Sequence, residues 1–254
     1  MTLPKTPSFS LKGKKALVVG ASSGIGSACA VALAEHGASV TLAARRKDRL
    51  ITLADKMSKK NWDTNILEMN IANVEETSRL ISGCEQFDIL VNSAGLARHS
   101  KSLDTSVEDF DTVMNINLKG AYFLTQAVAK KLFSMGKTGS LINISSQMGL
   151  VGGQERAVYC SSKHAVEGFT KAMAIEYGPA NIRINTICPT FILTDMTKAT
   201  FDDPEKRAWV ESKIKLGRVG AVQDIMGAVV YLASDASSLV TGSALLIDGG
   251  WTAG

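Results

Sequence analysis

Lys15-Ala-Leu-Val-Val-Gly20-Ala-Ser-Ser-Gly24-Ile-Gly26 runs from an apolar, β-rich segment into three glycines spaced four and two apart. Residues 15–20 read as a buried strand, and residues 24–36 as a helix that Gly37 ends. Glycine in such a strand-to-helix turn permits a tight bend and lets the backbone approach a pyrophosphate. It also packs the helix close to the sheet. The helix N-terminus then presents free N–H groups and a positive dipole end to the phosphates. A glycine-rich stretch alone also fits an ordinary flexible turn. Its place between the first strand and the first helix favours a dinucleotide site built from Gly20, Ser22, Ser23, Gly24, Ile25 and Gly26.

Outward from this turn the pattern repeats. Further strands are expected at residues 39–43, 65–69, 88–92, 140–144, 183–187 and 244–248, with helices filling the gaps, including long ones at 118–135 and 158–177. Strand–helix alternation predicts a doubly wound α/β domain, with a mostly parallel sheet covered on both faces. No Pro/Gly/Ser linker, repeat or low-complexity segment divides the 254 residues, so one domain is expected over residues 1–254. Residues 1–12 are read as an N-terminal arm and about residues 190–215 as a substrate lid. Apolar residues make up 45% of the chain and aromatics only 6%, so small aliphatic side chains must do most of the packing.

In such sheets ligands sit beyond the carboxyl ends of the strands, where the strand order reverses. The second strand ends Ala43-Ala44-Arg45-Arg46. An NAD site usually places an acid there for the ribose 2′-hydroxyl, whereas a guanidinium can grip a 2′-phosphate in a fork. Arg45, with Arg46 beside it, therefore predicts NADP(H) over NAD(H); a surface Arg pair at a helix entry is the competing reading.

Tyr159-Cys-Ser-Ser-Lys163 spaces a phenol and an ammonium four apart, on one face of a helix. The ammonium stabilises tyrosinate, which equips the phenol to exchange a proton. Ser145-Ser146 closes the preceding strand and offers a hydroxyl for a substrate oxygen, and Asn117 is placed at the start of the long helix, where it can hold a water linking Lys163 to solvent. Tyr-x-x-x-Lys alone is common on solvated helix faces. The ordered set Gly20-x-x-x-Gly24-x-Gly26, Asn92-Ser-Ala-Gly95, Asn117, Ser146 and Tyr159-x-x-x-Lys163 closely resembles the short-chain dehydrogenases/reductases, from Leu11 to Gly250.

That resemblance implies a single Rossmann-type domain with a seven-stranded sheet and a homotetramer. It implies Tyr159 as general acid/base, Lys163 lowering its pKa and holding the nicotinamide ribose, Ser146 orienting the carbonyl with Ser145 in support, and Asn117 in a proton relay. On the adenosine side it implies Asn70, Ile71, Asn92, Ala94 and Gly95. At the nicotinamide end it implies Pro189, Ile192 and Thr194. The chain departs from the family pattern at Asn70, where Asp is usual, at Ser93 for a second Asn, and at Thr190 for Gly. None of these removes a reacting group.

The stretch from Asn185 to Pro204, with Ser145-Ser-Gln147 and Tyr159-Cys160, resembles dicarbonyl/L-xylulose reductases, while Ala97-Arg98-His99 resembles gluconate 5-dehydrogenase-like enzymes. Both imply a sugar-like, polyol or dicarbonyl substrate. Arg98 is expected to meet a carboxylate and Gln147 a hydroxyl, with Gln154, Met196 and Phe201 as further contacts; Arg98 and Gln147 as solvated loop residues is the alternative. A 3-oxoacyl-[acyl-carrier-protein] reductase would share every catalytic motif, and a non-catalytic NADP-binding protein would have lost one of them. A net charge of +4 with scattered basic residues argues against a nucleic-acid partner. Four scattered cysteines argue against a metal site or a disulfide framework and suggest a reducing compartment. With neither a signal-like N-terminus nor a membrane-length apolar run, a cytoplasmic protein is expected.

Overall fold

A computed structural model describes residues 2–254. Seven strands form one sheet in the order β3-β2-β1-β4-β5-β6-β7, and all six pairings are parallel. The strands are β1 (Lys15–Val19), β2 (Ser39–Ala44), β3 (Thr64–Glu68), β4 (Ile89–Asn92), β5 (Gly139–Ile144), β6 (Ile182–Pro189) and β7 (Ala244–Ile247). The order reverses between β1 and β4, which opens a crevice at their carboxyl ends.

Burial on both faces explains the continuous apolar runs. In β1, Ala16 and Val18 face a core shared with α1 (Gly24–Glu35), α2 (Lys47–Ser58) and α9 (Gln223–Ala233). Leu17 and Val19 face the opposite core, closed by α3 (Val74–Gly83), α5 (Ala121–Ser134) and α6 (Ala157–Tyr177). Alternate side chains of a strand point to opposite faces, so a strand sandwiched between helix layers is apolar at every position. On α1 the buried positions include Ala28, Ala30, Ala32 and Ala34, whose small side chains bring the helix close to the sheet.

Two expectations change. The helix placed at 118–135 begins earlier: α4 (Val107–Met114) runs through a π-helical turn at Asn115–Gly120 into α5, so Asn117 lies inside a helix rather than at its start. A Cβ on Gly120 would come within 2.8 Å of the Ile71 carbonyl oxygen, so glycine is there for close approach and not as a helix boundary. The N-terminal arm is also shorter than 1–12. Leu11 is fully buried and donates its N–H to His36 O at 2.8 Å.

Candidate active site

A cleft of about 280 Å³ opens at the switch point. Gly20 leaves β1 with φ +82°, and a Cβ there would lie 2.7 Å from Ser93 C. Gly26 meets the turn from the other side: its Cβ would sit 2.3 Å from Gly20 O, so only glycine allows α1 this near the sheet. Ser23, the N-cap of α1, makes no side-chain capping bond, which leaves the first N–H groups of the helix available to an anion. Arg46 folds over this turn, its Nη2 donating to Ser22 Oγ at 2.8 Å and Ser23 Oγ at 2.9 Å. Arg45 and Ala44 complete that end. The acid in the cleft lining is Asp195, an exposed side chain 3.5 Å from Arg49. These features fit a nicotinamide dinucleotide carrying extra negative charge on its ribose.

Most expected cofactor residues line the cleft: Gly20, Ser22, Ser23, Gly24, Ile25, Arg45, Arg46, Asn70, Ile71, Ala94, Gly95, Tyr159, Lys163 and Thr194. Asn70 Oδ1 accepts the Ala72 N–H at 3.2 Å, so any bond to adenine shares that oxygen. Gly26, Asn92, Pro189 and Ile192 stand behind the lining instead. Asn92 is buried, donating to Asn143 Oδ1 at 3.0 Å and accepting the Ala94 N–H at 3.2 Å, so it shapes the 92–95 turn. Pro189 pairs with Ile247 in the sheet, and Ile192 bridges to Gly220. Sequence reasoning passed over Met69, Leu96, Ile116 and Ile144, apolar lining residues that carry no motif.

At the chemical end α6 sets Tyr159 and Lys163 against the cleft, four residues apart on one face. Lys163 is buried, donates to Ile144 O at 2.9 Å, and lies 5.7 Å from the Tyr159 ring centroid. Burial pulls its pKa down to about 8, against the raising influence of Cys188 and Glu167. Burial raises the Tyr159 phenol, and hydrogen bonding with Ser146 only partly offsets this. Ser146 Oγ accepts the Met148 N–H at 3.1 Å, leaving its own proton to donate. Ser145 Oγ is buried at the cleft wall with no hydrogen-bond partner among the described residues.

Asn117 holds the loop after β4 onto α6. Its Oδ1 accepts the Leu96 N–H at 2.9 Å, and its Nδ2 donates to Leu96 O at 2.8 Å and Ser162 Oγ at 3.2 Å. A point one bond above Gly95 lies 3.3 Å from Asn117 Oδ1 and 3.8 Å from Lys163 Nζ, so these groups converge. The amide is thus engaged by protein rather than by water. Glu167, one turn beyond Lys163, was overlooked although its i,i+4 spacing is visible; its buried carboxylate accepts from Thr186 Oγ1 at 2.8 Å and Cys188 Sγ at 3.3 Å.

The substrate candidates separate. Met196 lines the cleft. Gln147 is not a solvated loop residue: it is 1% exposed, and neither amide atom has a partner among the described residues. Arg98 points to Asp109 at 3.6 Å with 60% of its side chain exposed, and Gln154 is exposed ahead of α6. Neither lines the cleft. Phe201 is a correction. It sits in α7 (Lys198–Phe201) but is buried with Val210, Ile214 and Val219, and packs against Phe191, so it anchors the segment after β6 instead of lining the cleft. Among the described residues no group of His, Cys, Asp and Glu is placed to hold a metal, and no helix is long and apolar enough to cross a membrane.

A dinucleotide cleft ending in a Ser–Tyr–Lys constellation defines a nicotinamide-dependent oxidoreductase. The family model described as enoyl-(acyl carrier protein) reductase matches residues 20–252. The chain is 40% identical over 247 residues to the uncharacterized oxidoreductase YgcW of Escherichia coli K12, covering 96% of this chain and 94% of that one. It is 36% identical to D-erythrulose reductase of Gallus gallus, covering 96% and 98%. The structure of a putative 2-deoxy-D-gluconate 3-dehydrogenase from Agrobacterium tumefaciens with bound NADP superposes with a TM-score of 0.92 at 40% identity, covering 98% and 100%. The chain belongs to the short-chain dehydrogenase/reductase family, whose members act as oxidoreductases on CH–OH groups.

Proposed function

We propose that the protein is an NADP(H)-dependent enzyme that interconverts a ketone and a secondary alcohol on a sugar-like, polyol or dicarbonyl substrate. The observation that carries this reading is the joint placement, in one cleft, of a phosphate-binding turn overlaid by Arg46 and the Tyr159–Lys163 pair beside Ser146. The bound nicotinamide supplies or accepts the hydride. Ser146 donates a hydrogen bond to the substrate oxygen, and Tyr159 Oη gives that oxygen its proton in reduction or takes it in oxidation. Burial holds the phenol protonated, and the Lys163 ammonium stabilises the tyrosinate that donation leaves behind. Lys163, buried beside Tyr159 with its pKa near 8, acts on the phenol through its charge and grips the nicotinamide ribose. The π turn around Asn117 disturbs the regular i→i−4 bonding and frees backbone carbonyls to carry a water in the relay.

Preference for NADP(H) follows from the missing acid at the end of β2 and the two guanidiniums of Arg45 and Arg46, which match a 2′-phosphate. NADP in the Agrobacterium relative and the sugar named for the Gallus relative support the reading. Residues 190–215 act as the substrate lid, with Met196 on its inner surface. The working form is a homotetramer: Phe123, Phe133 and Ile175 on α5 and α6 stay exposed in one chain, and sedimentation should give four times the 27.0 kDa chain mass. Four free cysteines fit a reducing cytoplasm.

The test is the oxidation of NADPH, with NADH in parallel, against diketones, ketoses, keto-sugar acids and an acetoacetyl thioester. Turnover of a ketose, keto acid or diketone with NADPH is expected. Turnover confined to the thioester would move the protein to acyl-carrier reduction, a reading the matched family model's description favours.

A further inference from the structure

Arg156 stands at the N-cap of α6, three residues before Tyr159 and seven before Lys163. That spacing sets the three side chains on one stripe of the helix, with Arg156 one turn beyond Tyr159 on the side away from Lys163. Lys163 lines the cofactor cleft and Arg156 does not, so Arg156 flanks the phenol on the side away from that cleft. Its stem packs near Gly153: a Cβ there would meet Arg156 Cγ at 3.1 Å and Met148 Cε at 3.0 Å. The guanidinium is half-buried, yet among the described residues it has no ion-pair partner, not even the adjacent Glu155. Burying a charge without a partner is unfavourable, and five N–H donors in a rigid fork match a carboxylate.

The surroundings point the same way. Arg156 is close enough to bear on both Tyr159 and His99, a residue of the loop after β4. Burial and then the Arg156 charge hold the His99 imidazole down at about 4, with Glu155 opposing, so at neutral pH it is an uncharged hydrogen-bonding group beside the guanidinium. The 147–149 turn, whose Met148 also reaches Gly153, carries Gln147 with its unpartnered amide. Arg98, by contrast, is already turned toward Asp109.

We propose that Arg156, with His99 beside it, forms an anion subsite for a carboxylate on the substrate, so that the reacting compound is a keto or hydroxy acid in preference to a neutral sugar. The inference rests on the oxidoreductase reading given above. Its test is steady-state kinetics with NADPH on a matched pair, a keto-aldonate such as 5-ketogluconate and a neutral ketose such as fructose, for wild type, Arg156→Gln and Arg156→Lys. Arg156→Gln should lower the acid-to-neutral ratio of kcat/KM about 10- to 100-fold, the weight of a hydrogen bond to a charged group. The loss should lie mainly in KM, and Arg156→Lys should recover part of it. An unchanged ratio, or an equal fall on both substrates, would overturn the assignment. Calorimetric titration of gluconate into the NADP complex separates the two levels of the argument. If neither ketone turns over, gluconate binding that Arg156→Gln abolishes still supports the subsite and leaves only the reaction misread. If wild type binds no gluconate, the subsite itself is wrong.

Discussion

At the scale of single residues, the site depends on placing ionisable groups where water is scarce. Lys163 is the clearest instance, buried against Ile144 O with a pKa near 8 instead of 10.5. Because the folded value lies below the unfolded one, the unfolded chain binds more protons between pH 8 and 10.5, and stability rises with pH across that window. Lys163→Met removes the penalty. Without cofactor, the variant should be more stable than wild type at pH 7 by about 1–3 kcal/mol, the usual cost of a poorly compensated buried polar group. The margin should shrink as pH climbs from 8 to 10.5. Chemical denaturation at several pH values measures it, and a margin independent of pH would show that Lys163 is not the strained group. Tyr159, Lys163 and Ser146 were legible because their spacing is local and chemically distinctive. The partner of Arg46 was not, since Ser22 lies 24 residues away and only the turn geometry joins them. Arg98 was the arginine singled out from sequence and Arg156 was not, because only packing shows that Arg98 turns to Asp109 while Arg156 forms no ion pair among the described residues.

At the scale of elements, the cleft is made by turns that leave no room for a side chain. Gly26 is the tightest, its Cβ position 2.3 Å from Gly20 O. Gly26→Ala must push α1 away from the phosphate turn. NADPH affinity should fall at least about tenfold, and the strain should destabilise the fold by about 1–3 kcal/mol, the range for overpacked sites. Fluorescence titration of NADPH with a thermal melt tests this; affinity within twofold of wild type would mean the turn is not the pyrophosphate seat. The strands were legible to within two residues at their ends; two-sided burial makes the central ones apolar, while β3 at the sheet edge is largely exposed and was marked by its short Ile-Leu run. The full helix carrying Asn117 was not legible. The expected helix began at 118, and the turns of α4 and the π segment before it carry no distinct pattern, while Gly120 is where the helix passes close to Ile71 O. The inward turn of Phe201 depends on α8 (Pro204–Lys213) and Trp251, contacts that no local pattern encodes.

At the scale of the whole molecule, the sheet holds two functions apart. The turn after β1 and the end of β2 form the proposed phosphate seat, while β5 and α6 bring up the serine, tyrosine and lysine, and the strand order β2-β1-β4-β5 gathers both at the carboxyl ends of the strands. Chemistry and binding should therefore be separable. The most direct test is Tyr159→Phe assayed side by side with wild type, for NADPH binding by fluorescence and for NADPH oxidation with a ketone that wild type reduces. The account predicts binding within about threefold of wild type and a fall in kcat of about 10²- to 10⁴-fold, the weight of a general acid. Turnover close to wild type would contradict the central claim that the Tyr159 phenol carries the proton.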